Sequence, residues 1–309
     1  MRLYETLEDI PAGYGPSAVS IGKFDGVHAG HRAVLGRLVE LAGDEGLVST
    51  VVTFDRHPLA LLSPGSCPPP LVSNPQKVAL LAEVGVDTTV LLPFDHALAA
   101  LTPREFVERI LVDALDARLV LVGEDFRFGA RGAGTVETLA AFGAEHRFRV
   151  QTVGDVRPDQ HRRASSTWIR DLLTAGEVGA AATLLGRAPT VRGVVVHGAK
   201  RGRELGFPTA NLSPEAEGLI PADGVYAGWL TDGGRRYPAA ISVGSNPTFY
   251  GVPPKQVEAY VLDEDLDLYD HVVDVSFVSR IRGQVAYEGI DPLIAQIRHD
   301  VDRVRRILA

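Results

Sequence analysis

The order of its apolar segments is the feature that most restricts how this 309-residue chain can fold. In the first half, short β-branched runs alternate with segments in which apolar residues have helical spacing. The strand-like runs lie at residues 48–54, 88–92, 119–122 and 149–153. Strands that alternate with helices predict βαβ units, and therefore an α/β domain with a parallel sheet.

The helices of this half carry start signals of their own. Residues 75–84 and 136–146 have helical patterns. Thr102 and Glu105 have the spacing of a capping box, and Pro103 suits the first helical turn. Ligands of parallel sheets bind outside the carboxyl ends of the strands, so the segments that follow the strands are the candidate site.

After residue 190 the pattern changes to short β-rich runs that are separated by turns rich in proline and glycine. The runs lie at residues 191–197, 225–230, 237–243, 257–262 and 272–278. This pattern predicts a compact antiparallel β-barrel or sandwich. A C-terminal helix starts at Asp291-Pro292, and we expect its apolar stripe to pack on the barrel. The stripe consists of Ile294, Ile297, Val301, Val304 and Leu308.

A helix that stops at Gly186 separates the two patterns, so we predict domains at residues 1–186 and 187–309. No run approaches the about 20 apolar residues of a membrane span. The net charge of −8 argues against a broad nucleic-acid surface. The single cysteine, Cys67, and an N-terminus without a secretory signal predict a cytoplasmic protein. We expect small-molecule partners, and neither nucleic acid nor a membrane.

The decapeptide GKFDGVHAGH, residues 22–31, lies between a predicted strand and a predicted helix. A helix start binds anions through its unpaired N–H groups, and neutral His28 and His31 can donate hydrogen bonds to phosphate oxygens. Two alternatives stay open at this point. The histidines can hold a metal ion with Asp25 as a third ligand, or one of them can cap the helix while the other is solvated.

The frame G-x-F-D-G-x-H-x-G-H directly after the first strand resembles the nucleotidyltransferase superfamily. Residues 165–170, SSTWIR, are similar to its second phosphate-handling segment, and they also suit an N-cap and a helix start. Residues 123–129, GEDFRFG, resemble a loop that contacts nucleotide and flavin. The resemblance implies a Rossmann-type domain in which Phe128 contacts flavin. It implies these nucleotide-binding residues: Gly22, Phe24, Asp25, His28, His31, Asp125, Ser165, Ser166, Thr167 and Arg170.

Four stretches of the second half resemble riboflavin kinases. They are residues 202–212 (GRELGFPTANL), 224–228 (GVYAG), 244–249 (GSNPTF) and 257–260 (VEAY). Together with the first half, the whole chain resembles prokaryotic bifunctional riboflavin kinases/FAD synthetases. The resemblance implies that the barrel phosphorylates riboflavin with ATP to FMN. The first domain then adenylylates FMN with a second ATP to FAD and pyrophosphate, with His28 and His31 as its catalytic residues.

The resemblance also assigns roles in the barrel. Thr209 and Asn211 would hold Mg²⁺ beside ATP, and Glu258 would take the proton from the ribityl hydroxyl. Arg282 would contact flavin, and the nucleotide would lie against Gly206 and Pro208. Arg56, Asp270 and Gln284 depart from the family pattern, and Asp270 stands where glycine is usual.

Two other functions are weighed against this interpretation. The first domain could transfer a nucleotide to another phosphate, such as phosphopantetheine or glycerol phosphate, but the second half resembles an enzyme that makes FMN. The chain could also be a flavin-binding regulator with a decayed catalytic site. The intact His28, His31, Thr209, Asn211 and Glu258 argue against that decay.

Overall fold

The computed structural model of the protein describes residues 1–154, 163–198, 202, 205–244 and 255–309. These residues divide into two units. Met1–Pro70 and Asn74–Ala164 form the first, and Leu71–Ser73 and Ser165–Ala309 form the second. The domain boundary between residues 186 and 187 stays a prediction. Parts of two quoted motifs, residues 203–204 and 245–249, lie outside the described residues.

The first unit is built on a six-stranded sheet in the order β1-β4-β3-β2-β5-β6. Each of its five strand pairings is parallel, which confirms the predicted α/β class. Apart from β1 and β6, the strands are mostly buried, because helices cover parallel sheets. The strands are β1 (Arg2–Tyr4), β2 (Ser17–Ile21), β3 (Val48–Phe54), β4 (Thr88–Leu92), β5 (Ala117–Gly123) and β6 (Arg149–Val153).

Helices connect these strands, and their starts follow the sequence signals. The capping box is confirmed, because Thr102 and Glu105 exchange side-chain to backbone hydrogen bonds of 2.9 and 3.2 Å. Its helix continues as a π-helix, Val107–Ala114. The helices are α1 (Ala29–Glu45), α2 (Pro58–Leu62), α3 (Asn74–Val84), α4 (His96–Ala100), α5 (Pro103–Phe106) and α6 (Val136–His146).

The second unit contains a closed barrel in the order β10-β11-β8-β7-β12-β9, and its pairings are antiparallel. The predicted barrel is therefore confirmed. The short β8 was not predicted, because three residues carry no usable periodicity. The strands are β7 (Thr190–Val196), β8 (Ala210–Leu212), β9 (Gly224–Asp232), β10 (Arg235–Gly244), β11 (Gln256–Val261) and β12 (Val272–Arg282).

Three longer helices complete the second unit: α7 (Ser166–Ala175), α8 (Val178–Leu185) and the C-terminal α9 (Ile290–Leu308). The apolar stripe of α9 packs on the barrel, where Val301 and Val304 join a buried cluster with Val225 and Ile281. Within the described part of the chain, no helix is long and apolar enough to cross a membrane.

Candidate active sites

The loop after β2 has a backbone that most residues avoid. Phe24 and Val27 have φ angles of 45° and 38°, and both side chains are buried. Such left-handed geometry costs on the order of 1–3 kcal/mol for a residue other than glycine. Packing of the two side chains therefore holds the loop in one shape. The sheet order places this loop beside the carboxyl ends of β3 and β5.

His28 is the N-cap of α1. Its Nδ1 accepts a hydrogen bond from the backbone N–H of His31 at 3.4 Å, and its ring is 5% exposed. The sequence alternative of a helix cap is therefore realised in His28. Gly30 makes room for the ring, since a Cβ at residue 30 would lie 3.1 Å from Cε1 of His28.

His31 stacks on His28 with ring centroids 3.6 Å apart and an interplanar angle of 17°. The ring of Phe24 packs edge-on against His31 at 5.2 Å. Burial lowers the pKa of His31 well below its usual value, and the nearby His28, Lys23 and Arg163 lower it further. Its Nδ1 is buried and has no hydrogen-bond partner among the described residues. The pair thus presents a neutral imidazole, as hydrogen bonding to phosphate oxygens requires.

Gly22 and Asp25 lie on the same loop. A Cβ at Gly22 would come within 3.0 Å of the Phe24 ring, so glycine allows this close approach. Asp25 is half-buried, and its charge raises the pKa of Lys77 on α3, although burial has the larger, lowering effect on that pKa. The loop therefore carries an acidic group beside its candidate anion site.

The loop after β5 holds two further predicted residues. Asp125 is exposed and pairs with Arg163 at 2.8 Å. Phe128 is only 5% exposed and belongs to the hydrophobic core of the unit. Phe126 stacks on Phe128 at 5.6 Å and is the more exposed of the two rings. A flavin contact of Phe128 stays a prediction, and the structure places that side chain in the core.

Residues 165–170 form the start of α7, in the second unit. Ser165 is the N-cap, and its hydroxyl accepts the N–H of Trp168 at 3.2 Å. Ser166 is half-buried and Thr167 is exposed, whereas Arg170 is buried on the inner face of the helix. Contact of these side chains with a nucleotide stays a prediction.

The barrel brings Thr209, Asn211 and Glu258 together. Asn211 on β8 is directly opposite Glu258 on β11. The Thr209 hydroxyl donates to Oε2 of Glu258 at 3.3 Å and accepts from Nδ2 of Asn211 at 3.2 Å. Val257 and Ala259 are buried while Glu258 is half-buried, so the carboxylate points away from the apolar side of the strand.

Gly206 and Pro208 lie in the turn before β8, and both are exposed. Gly206 has a φ of 85°, which favours glycine at that position. The N–H of Phe207 donates to the carbonyl of Gly202 at 2.8 Å, which closes the turn. A Cβ at Gly198 would lie 2.5 Å from Oδ1 of Asn211, so the chain before the turn also lies against the three-residue cluster.

Arg282 is held by the C-terminal helix. Its Nε and Nη2 donate to Oδ2 of Asp300 at 2.9 and 2.8 Å. Asp300 is 3% exposed, and its Oδ1 accepts Nε2 of Gln296 at 2.8 Å. The sequence analysis missed Asp300, although Ile297, Asp300 and Val304 share one helix face by their spacing.

A cleft of about 420 Å³ lies beside Arg282, between residues 176–180 and 278–283. Arg280 lines it and donates to the carbonyls of Ala175 and Asp223 at 3.2 and 2.8 Å. Arg280 thereby satisfies the carbonyl end of α7. The cleft thus separates a structural arginine from the arginine that the sequence analysis assigns to flavin.

Two family models match the chain. The FAD synthetase model covers residues 12–168, and the riboflavin kinase model covers residues 185–308. The histidine pair lies within the first match, and Thr209, Asn211, Glu258 and Arg282 lie within the second.

Curated relatives match over nearly the whole chain, and three of them are named bifunctional riboflavin kinase/FMN adenylyltransferase. The Escherichia coli K12 protein is 37% identical over 91% of this chain and 90% of its own. The Listeria monocytogenes protein is 36% identical over 94% and 92%. The Pseudomonas fluorescens protein is 35% identical over 100% and 98%.

A solved structure from Streptococcus pneumoniae has the same fold. It is 31% identical, has a TM-score of 0.89 and covers 98% of both chains. That protein is named a macrolide-efflux protein, whereas both family models that match the present chain describe flavin enzymes.

Proposed function

Because this chain belongs to the family of bifunctional riboflavin kinases/FMN adenylyltransferases, we propose that two residue sets on it divide the two reactions of that family. The chain phosphorylates riboflavin with ATP to FMN, and it adenylylates FMN with ATP to FAD and pyrophosphate. The cluster of Thr209, Asn211 and Glu258 is the observation that most strongly supports the division.

In the kinase reaction, Glu258 accepts the proton of the ribityl hydroxyl as that oxygen attacks the γ-phosphorus of ATP. ADP leaves with the electron pair of the broken P–O bond. The hydrogen bond from Thr209 orients the Glu258 carboxylate before substrate arrives. Arg282, fixed by Asp300, contacts the flavin. Gly206 and Pro208 line the nucleotide at the exposed turn before β8.

Thr209 and Asn211 fit a magnesium ion. Both offer neutral oxygen atoms, which suit a hard ion that keeps water ligands and shares phosphate oxygens. Oδ1 of Asn211 has no hydrogen-bond donor among the described residues, and the absence of a Cβ at Gly198 leaves space beside it. When bound, Mg²⁺ neutralises charge on the ATP phosphates. The two side chains would hold it there.

In the adenylyl transfer, a phosphate oxygen of FMN attacks the α-phosphorus of ATP and pyrophosphate leaves. His28 and His31 bind phosphate oxygens and stabilise the charge that passes to the leaving group. The neutral state of His31 suits this role, because a neutral imidazole can donate a hydrogen bond without a counterion. Gly22, Phe24 and Asp25 shape the loop, and Asp125 and the start of α7 complete the nucleotide contacts. Phe128 and a cytoplasmic location stay predictions from the sequence.

The Glu258→Gln substitution tests the kinase assignment. It keeps the shape of the side chain and removes the proton acceptor, so riboflavin phosphorylation should fall about 10²–10⁴-fold. Conversion of supplied FMN to FAD should be unchanged. Chromatography of the flavins after incubation with ATP and Mg²⁺ measures both steps. Glu264→Gln is the matched control, since Glu264 is a surface carboxylate paired with Arg235. Normal FMN formation by Glu258→Gln would remove Glu258 from the mechanism.

The His31→Asn substitution tests the adenylyl-transfer assignment by the same assay. Loss of one preorganised hydrogen-bond donor typically lowers the rate about 10²–10³-fold, so FAD formation should fall by that factor while FMN formation persists. His28→Asn should behave alike, and asparagine keeps an acceptor at the N-cap of α1. The exposed His96 supplies the control, His96→Asn. An equal fall of both activities in folded His31→Asn protein would contradict the assignment.

A further inference from the structure

Lys77 on α3 is a buried cation that the two reactions described above do not use. It is 7% exposed, and lysine is rarely so buried. Its Nζ donates to the carbonyl of Phe54, the last residue of β3, at 2.6 Å. Burial lowers the pKa of its ammonium group, while Asp25 and Asp55 raise it. Burying an ammonium group costs free energy, so its retention here calls for a compensating role.

The position of Lys77 is at the edge of the sheet where ligands bind. β3 lies between β2 and β4, and Lys77 holds the carboxyl end of β3. The preceding residue on that strand, Thr53, donates to the carbonyl of Lys23 at 3.1 Å. Lys23 belongs to the loop that carries His28 and His31. The end of β3 thus joins Lys77 to the histidine loop.

A second set of bonds ties the same point to the next strand. Asn74, one turn before Lys77, donates to the carbonyl of Asp55 at 2.7 Å. The carboxylate of Asp55 accepts the N–H of Phe94, just after β4, at 2.8 Å. The ends of β2, β3 and β4 are therefore connected through the few residues around Lys77.

The charges around Lys77 add a reason for a cation at this place. Asp25 lies on the loop that is to receive phosphate, and a carboxylate there repels an anion. The ammonium group of Lys77 is the charge that opposes Asp25 and Asp55 from α3. Because opposite charges in a partly desolvated site interact more strongly than in water, Lys77 offsets that repulsion.

We infer that Lys77 is a positioning residue of the adenylyl-transfer site, which fixes the carboxyl end of β3 and offsets the charge of Asp25, so that the loop of residues 22–31 receives the triphosphate of ATP. This inference rests on the proposed assignment of His28 and His31. Lys77 acts through the loop, and no contact with substrate is assigned to it.

The test compares Lys77→Met, which keeps an unbranched side chain without charge, with the wild-type chain. Misplacement of a reacting group by about 1 Å can cost about 10²-fold in rate, so kcat/KM for FMN adenylylation should fall about 10–100-fold. The KM for ATP should rise in that reaction. Riboflavin phosphorylation should stay within about two-fold of wild type, because the change lies in the other unit.

A merely structural role would give a different pattern, since partial unfolding lowers the active fraction and so lowers kcat without changing KM. The matched control is Ser49→Ala at the opposite ends of the same strands. Ser49 exchanges hydrogen bonds of 2.7 and 2.9 Å with Asp87, away from the carboxyl edge. Ser49→Ala should lower stability and leave the KM for ATP unchanged.

An unchanged KM for ATP in Lys77→Met, with kcat reduced only in proportion to stability as in Ser49→Ala, would overturn the inference. Lys77→Gln is measured in parallel, because it keeps a hydrogen-bond donor and tolerates burial if the methionine variant does not fold. Wild-type kcat/KM in either folded neutral variant would also overturn the inference. Failure of the underlying assignment would be seen separately, as normal FAD formation by His31→Asn.

Discussion

The stacked histidines illustrate how one residue can be both structural and chemical. His28 caps α1 through Nδ1, and the same ring packs against His31. Because of that contact and its burial, His31 resists protonation in the folded protein. The unfolded chain has no such restriction, so its histidines titrate near pH 6.5.

This difference predicts a pH dependence of stability. Below about pH 6.5 the unfolded chain takes up a proton that folded His31 does not, so the free energy of unfolding should fall by up to about 1.4 kcal/mol per pH unit. The loss should continue until the lowered pKa of folded His31 is reached. Urea titrations at about pH 7.5 and about pH 5.5, followed by far-ultraviolet circular dichroism, measure it.

His31→Asn should remove this part of the pH dependence, and His96→Asn should keep it because His96 is exposed. Both tryptophans, Trp168 and Trp229, lie in the second unit, so their fluorescence provides an internal reference for that unit. An unchanged pH dependence in His31→Asn would show that folded His31 titrates normally.

Asp270 is a smaller case at the same scale. The family pattern has glycine at this position, and Asp270 has a φ of 64°. The turn before β12 therefore keeps a backbone that suits glycine, and aspartate tolerates it better than most side chains do.

At the scale of elements, α9 contributes a polar anchor as well as its apolar stripe. Asp300 lies on the buried face of the helix and binds Arg282, at the end of β12. The helix thus positions an arginine that the proposed function assigns to flavin. A buried pair of this kind is costly to break, because the remaining charge keeps its burial and loses its partner.

Asp300→Ala should therefore destabilise the second unit by about 3–5 kcal/mol and raise the KM for riboflavin. The urea midpoint, followed by tryptophan fluorescence, measures the first effect, and steady-state kinetics measures the second. Asp302→Asn on the exposed face is the control and should stay within about 0.5 kcal/mol of wild type. An unchanged KM for riboflavin in Asp300→Ala would separate the helix anchor from flavin binding.

At the scale of the whole molecule, the two helices before the barrel belong to the second unit. Leu173 on α7 accepts the N–H of Ala222 at 2.9 Å, and Ala175 accepts a hydrogen bond from Arg280. The segment Leu71–Ser73 also joins this unit, where the carbonyl of Leu71 accepts the N–H of Leu219 at 3.1 Å. A domain that starts at residue 187 lacks all three contacts.

Two fragments, residues 187–309 and residues 165–309, test what these contacts contribute. Both should phosphorylate riboflavin, since Thr209, Asn211, Glu258 and Arg282 lie in each. The longer fragment should unfold at the higher urea concentration, because it keeps α7 and α8. Flavin chromatography and urea titration measure the two properties. A folded 165–309 fragment without kinase activity would show that the first unit is needed for the reaction.

The sequence by itself determined the classes of the two units and the family. Periodicity is a local property, so the alternation up to residue 153 predicted the parallel sheet, and the short runs after residue 190 predicted the barrel. The motifs around His28 and Thr209 are local too, since the chemistry of each depends on a few adjacent residues. Motif and pattern together were enough to predict both reactions.

Only the tertiary structure decided which side chains meet. The bond between Thr209 and Glu258 joins residues that are 49 positions apart, and no local pattern records such a distance. Phe128 lies in the core because of its packing with Phe106 and Phe126, although its motif predicted a ligand contact. Lys77 looked like an ordinary helix residue, and only its burial at the end of β3 distinguishes it. Such contacts depend on how distant elements pack, which is why the sequence did not show them.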